Sequence, residues 1–315
     1  MPGQRSNPTE RVVRVLETLR ARGGEGLRFA DLARDAGLSQ ATGHAILLTL
    51  ADAGYVVREA DRRTYTLGPA LVALGAAASA SFPEIRAARG ELALLAAETA
   101  LPVSAARVVD DAITVVDVVG RDRDALPIRE GTRVPFAPPF GAIHVAWEPS
   151  PVVDAWIARA PSATLTPERL RAVVDDHRRT HVAVAPYTQS SARLREALGE
   201  LAVDALARDV RDRTLELLAA IDELDYTSDV LAAADHVPVN TLTAPVFDRE
   251  GRVAFAVALH LAEPELAVTR VEELTAALRS ATERMTHTIG GHLPDRTPTT
   301  AAAPARTAAL IGESP

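Results

Sequence analysis

The sequence contains no cysteine and, among its 34 basic residues, no lysine. Without thiols there is no disulfide, no thiolate ligand and no cysteine nucleophile. Without lysine the GxxxxGK[ST] phosphate loop is excluded, and neither a GxGxxG turn after a strand nor a GxSxG elbow is present. Nothing in the sequence argues for an enzyme, a metal or a cofactor. Aromatic residues make up only 4% of the chain, and no apolar run approaches the roughly 20 residues of a membrane span. The opening MPGQRSNPTER is polar and lacks the apolar segment of a signal peptide, so a cytoplasmic protein is expected.

What is present is arginine, alanine and acid. Arginine without lysine, in an alanine-rich chain, reads as the codon bias of a GC-rich genome, so the arginines alone do not argue for nucleic-acid binding. Their distribution says more. Residues 1–68 hold ten arginines against eight acidic residues, net +2; residues 69–315 hold 24 against 34, net −10. Only the N-terminal part approaches phosphate without repulsion, and a dimer would double its contacts. At 315 residues, two domains are expected.

Residues 1–8 read as disordered. Thr9 opens a helix to about Arg22, with Val12, Val13, Leu16 and Leu19 or Arg20 facing inward or toward a partner. In Phe29–Leu50, FADLARDAGLSQATGHAILLTL, Leu32, Ala33 and Ala36 give one helix an apolar face. Gly37 supplies the turn, and Ser39 caps a second helix from Gln40. That second helix is expected to turn Thr42, Ala45 or Ile46, and Thr49 or Leu50 inward, and Gln40, Gly43 and His44 outward. Two short helices at this spacing form a helix-turn-helix. The runs Tyr55–Arg58 and Thr64–Leu67 flank a polar tip at 59–63, a hairpin that reads as a wing. The domain is placed at residues 9–68.

Residues 69–82 carry ALVALGAAASA, a linker helix apolar nearly all round and so expected to be buried, between subunits. Residues 83–293 alternate helices with hairpin strands, including 103–109 with 113–119 and 239–247 with 252–261. This is not a strict βαβ order, and it implies an α+β domain with an antiparallel-rich sheet. A helix is expected to follow the Pro138-Pro139-Phe140-Gly141 turn through Trp147. Residues 190–224 read as one long helix or a broken pair, and 294–315 as a disordered tail.

The N-terminal stretch ERVVRVLETLRA, FADLARDAGLSQATGHAILLTLADAGYV and TYTLGPALVALG resembles the IclR family of bacterial transcription regulators. The later PFAPPFGA turn and LTAPVFDREGRV hairpin are similar in order. The resemblance implies a winged helix-turn-helix, a linker helix and an effector-binding α+β domain, in a homodimer or dimer of dimers. The chain departs from the family in having Ala45 where a basic residue is frequent and Gly43 where an apolar one is usual. The missing Gly43 side chain offers a closer approach to the groove. His144 and Trp147 stand where small residues are common.

For double-stranded DNA the candidates are Ser39, Gln40, Thr42 and His44 on the second helix, with Arg62, Arg63 and Tyr65 on the wing; Gln pairs bidentately with adenine. For a small-molecule effector, an organic acid being the candidate class, they are Phe140, Gly141, His144 and Trp147 around a helix start, with Thr241, Thr243 and Arg107. His177 and His181 sit at i and i+4, but Arg178 breaks the HExxH pattern, and a solvated helix face is the expectation. The function that follows is a transcription regulator whose operator binding responds to an effector. Two alternatives stay open: a winged helix used as a protein-docking surface, and a ligand-binding or hydrolytic domain with a vestigial DNA-binding domain.

Overall fold

A computed structural model describes residues 6–22, 24–121, 126, 128–203, 213–214, 216–218 and 220–294. The start of the expected N-terminal tail, the tail beyond 294 and the middle of the 190–224 stretch lie outside these residues. The chain divides into two compact units, Met1–Ser81 with Ala197–Thr214, and Phe82–Glu196 with Leu215–Pro315.

The first unit begins with α1 (Asn7–Ala21), β1 (Leu27–Arg28), α2 (Phe29–Asp35) and α3 (Gln40–Asp52). The hairpin of β2 (Val56–Glu59) and β3 (Thr64–Leu67) follows, then α4 (Ala70–Ala80). Strands β1, β3 and β2 form a small antiparallel sheet in that order, with Tyr65 paired to both Leu27 and Arg58. The core is Val15, Leu19, Leu32, Ala36, Leu47, Leu50 and Val56 with Tyr65. In α1 Val15 and Leu19 are buried, at 0% and 4% exposure, and Val12 and Leu16 pack against the same core as expected; Val13 is exposed, and Val15 is the inward residue not expected. Gly37 takes φ +64, the left-handed conformation the tight turn needs. Ser39 caps α3 by accepting the Thr42 backbone N–H at 3.3 Å.

The α4 helix finds no cover within the chain itself. None of its residues is buried, and Val72 is 74% and Leu74 52% exposed. An all-apolar helix left in solvent is a surface without its cover.

The second unit is built on a six-stranded, wholly antiparallel sheet. Its strands are β4 (Val103–Val109), β5 (Ala112–Val119), β6 (Arg133–Pro135), β7 (Ala183–Pro186), β8 (His236–Phe247) and β9 (Val253–Ala267), in the order β6-β5-β4-β9-β8-β7. One face is covered by α5 (Pro83–Thr99) and α11 (Val268–Thr288) over Val103, Ala105, Leu242, Ala244, Val257 and Leu259. The opposite face receives α6 (Ala142–Val145), with α7 (Ser150–Ile157) and α8 (Pro167–Thr180) beyond it. These three helices share a core of Phe136, Val145, Trp156, Leu170 and Val174. Helices α9 (Gln189–Val203) and α10 (Ser228–Ala232) complete the described elements. Pro245 sits in β8 past the last residue paired to β7, so its missing N–H faces no strand. Among the described residues no helix is long and apolar enough to cross a membrane.

Candidate functional site

The first unit presents α3 and the β2–β3 wing. On α3 the inward residues are Gly43, Leu47 and Leu50, with Ile46 packed against the core; of the expected alternatives Ile46 and Leu50 turn inward, Ala45 and Thr49 are exposed, and Gly43 and Leu47 are the inward residues not expected. Gly43 is therefore not an outward gap that lets the helix approach a groove. A Cβ there would lie 3.2 Å from Cε2 and 3.3 Å from Cζ of Phe29, so glycine makes room for that ring. His44 is exposed and lies flat on Phe29, centroids 3.8 Å apart and planes 8° from parallel. Gln40 is exposed at the first turn. Ser39 and Thr42 are engaged with each other: Ser39 Oγ donates to Thr42 Oγ1 at 2.9 Å and accepts the Thr42 N–H.

On the wing, Arg62 and Arg63 are exposed at the tip, and Arg63 adopts φ +54. Tyr65 is not beside them. It is 8% exposed and packs in the core, because its strand register turns it inward against Leu27. Elsewhere in the unit, Arg20, Arg22 and Arg34 are held by Glu17, Asp35 and Asp31 at 2.7–3.1 Å. Among the described residues Arg62, Arg63, Arg58 and Arg28 on the small sheet and its tip have no carboxylate partner, as is true of Arg11 and Arg14 on α1. The sequence does not single out Arg28 and Arg58, since their strands become neighbours only through β3.

In the second unit the expected effector residues do not all meet. Alternation along the strands puts Thr241 and Thr243 on the face opposite the α5–α11 core. Arg107 is on the α5 side: its guanidinium is 3.8 Å from Glu84 and 5.7 Å from the centroid of the Phe82 ring. It does not join the threonines. Gly141 has a packing role. It takes φ +96, and a Cβ would stand 2.6 Å from Phe136 Cδ2. The helix after it spans four residues and stops short of Trp147, so it offers no helix dipole of consequence. Phe140 accepts the Trp156 Nε1–H at 3.1 Å through its carbonyl. His144 is buried, and burial lowers its pKa to about 4, so it is neutral. Trp147 packs edge-on against Phe247 and His181, at 4.9 and 5.4 Å between centroids, and with Ile143 it borders Ala183 and Ala256.

Ala183 is directly paired with Thr243, which is in turn paired with Ala258, and Ala258 with Ser104. That row carries polar groups sequence reasoning missed. Ser104 Oγ is 2.8 Å from His260 Nε2, both side chains buried, and His260 Nδ1 is buried without a hydrogen-bond partner. Burial, then the charge of Arg195, lowers the His260 pKa to about 4. Arg195, on α9, donates to Asn240 Oδ1 at 2.7 Å. Burial lowers its pKa, and among the described residues it has no carboxylate partner. A desolvated, half-buried guanidinium beside a neutral histidine with an unpartnered ring nitrogen has the chemistry to meet a polar or anionic group. The available signal is period two: His260 lies between Leu259 and Leu261 and so turns away from the α5–α11 core.

His177 is fully buried, with Nε2 3.3 Å from Asp225 Oδ2, while His181 ends α8 beside Trp147. The expected solvated face is thus an internal one. Among the described residues no group of three His, Asp or Glu is placed to hold a metal.

Comparisons with known proteins agree with this geometry. Residues 8–60 match the IclR helix-turn-helix domain. A search of curated proteins finds no match. Among solved structures, the fold is similar to Thermotoga maritima IclR, with 14% identity, 90% of this chain and 99% of that chain covered, and a TM-score of 0.59. It is similar to an IclR homolog from Microbacterium hydrocarbonoxydans complexed with 4-hydroxybenzoate, with 17% identity, coverage of 90% and 99%, and a TM-score of 0.54. Pseudomonas aeruginosa HmgR gives 21%, 89% and 99%, and 0.51. Residues 8–60 are thus an IclR helix-turn-helix domain, carried on a chain with the fold of the IclR-family transcriptional regulators.

Proposed function

We propose that the chain binds an operator sequence-specifically as a homodimer and that a small carboxylate held in the second unit modulates that binding. The observation that carries the DNA-reading part is the pairing of an α3 with Gln40 and His44 exposed and a wing whose arginines lack carboxylate partners among the described residues. Two copies joined through the bare apolar α4 would set two recognition helices in successive major grooves of a palindromic site. Arg62 and Arg63 would hold phosphates, and Gln40 would read an adenine.

The effector reading rests on Arg195, His260, Ser104 and Asn240, with Thr241 and Thr243 on the same sheet face and Trp147 at its border. Arg195 takes over the role expected of Arg107. The carboxylate of 4-hydroxybenzoate, bound by the Microbacterium relative, names the first probe. Ligand binding would shift the population between arrangements of the two winged helices, by as much as the ligand's affinities for those arrangements differ. Titration calorimetry of the full-length protein with 4-hydroxybenzoate and with smaller aliphatic acids tests this reading. Binding by at least one acid, lost in Arg195→Gln and retained in Arg107→Gln, is the expected result. Carboxylate binding that survives Arg195→Gln overturns the site.

A further inference from the structure

The outward side of α3 is mostly apolar. Counting from Gln40, the helical positions turned off the Gly43, Leu47 and Leu50 face are Ala41, His44, Ala45, Leu48 and Thr49, and all five are exposed; Gln40 lies in line with that inward face but is exposed because it stands in the first turn. Leu48, further along the same outer face, is 65% exposed, far more than a leucine with a packing role in this domain. The Thr49 hydroxyl donates to the Ala45 carbonyl at 2.9 Å and so is already engaged within the helix. Ser39 and Thr42, the other hydroxyls near the helix start, are engaged in the cap. No charged side chain appears on α3 before Asp52. What remains is one polar side chain, His44, beside an apolar stripe of Ala41, Ala45 and Leu48, with Gln40 exposed at the helix start.

In the major groove the one apolar group a base pair presents is the thymine C5 methyl. The commonest guanine readers are arginine and lysine, which reach O6 and N7 together, and α3 has neither. We infer that α3 selects its site chiefly by apolar contact of Ala41, Ala45 and Leu48 with thymine methyl groups, and that Leu48 is a specificity-determining residue. The operator half-site is accordingly rich in thymine at successive major-groove positions, with Gln40 reading an adenine among them. The inference rests on the DNA-reading function proposed above and specifies its target class. Backbone attraction falls to the wing arginines, while α3 contributes discrimination.

The test uses the full-length protein. Duplexes are selected from a random library, and each thymine of the enriched half-site is then replaced singly by deoxyuridine, which removes only the methyl. Wild-type protein is expected to bind about fourfold more weakly at each methyl it touches, the value of burying one methyl-sized apolar group. Leu48→Ala, a change at an exposed position, is expected to abolish the deoxyuridine penalty at one position and leave it at the others. An enriched sequence whose binding is indifferent to every deoxyuridine replacement overturns the inference while leaving DNA reading intact. Failure to enrich any sequence overturns both.

Discussion

The imidazole of His44 lies on the phenyl ring of Phe29 at 3.8 Å, and Gly43, one residue earlier, is the gap that lets the ring sit there. The stack fixes His44 by packing it on a residue of the preceding helix, so in the proposed reading recognition geometry depends on a contact outside α3. Phe29→Leu preserves an apolar residue in the core but removes the stacking plane. It is expected to lower operator affinity several-fold with a small change in melting temperature. In Gly43→Ala the helix-propensity gain of about 1 kcal/mol is offset by the push on Phe29, and affinity falls although stability hardly moves. Fluorescence anisotropy and thermal melting of both variants check this; unchanged affinity in both would show that the stack does not matter.

Replacing both wing arginines, as Arg62→Gln with Arg63→Asn, should weaken binding to every sequence alike. Asparagine is chosen because it tolerates the positive φ of Arg63. The slope of log affinity against log salt should shrink by about 0.9 for each phosphate that is no longer neutralised. A change in sequence preference with an intact salt slope would reverse the roles assigned to the wing and α3.

The two neutral buried histidines couple stability to pH. Folded pKa values of about 4 for His144 and His260 lie below the usual imidazole value of 6.5. The unfolded chain therefore binds more protons between these limits, and the stability contributed by the neutral rings is lost as pH falls from 6.5 toward 4. Each histidine accounts for up to about 3 kcal/mol over that window. Denaturant melts of His260→Gln from pH 7 to pH 4 should show a shallower decline than wild type; an identical decline would place the charge elsewhere.

Val72 and Leu74 of α4 face solvent in the isolated chain. Val72→Glu with Leu74→Glu should leave the fold stable, since neither side chain is buried, yet dissociate the proposed homodimer and weaken operator binding. Sedimentation velocity reads the outcome, and a double variant that remains dimeric would show that the subunits meet through another surface.

Much of this is legible in the sequence, and the misses have physical causes. The turn at Gly37, the cap at Ser39, the hairpins and the antiparallel sheet follow from local chemistry: left-handed backbone, side-chain acceptors and period-two patterns. The phase of α3 escapes a reading of its own residues because Gly43 has no side chain to show which way it faces. Its inward place is set by Phe29, on the preceding helix. Tyr65 reads as a wing residue until β1 is seen to pair with β3. Arg107 and Thr241 look alike as candidates, but register places them on opposite sheet faces. Arg195, His260 and Ser104 come from three distant segments, and no local pattern unites them. The composition of α4 shows that it needs a cover but not what covers it.

Whether this chain reads DNA sequence is decided by capture of sheared genomic DNA from the source organism. The full-length protein is used, followed by sequencing, with the Arg62→Gln/Arg63→Asn protein alongside. The prediction is a small set of enriched fragments sharing a thymine-rich inverted repeat, recovered by the wild type and strongly depleted with the variant. Uniform recovery of the genome, or equal enrichment by both proteins, would contradict it.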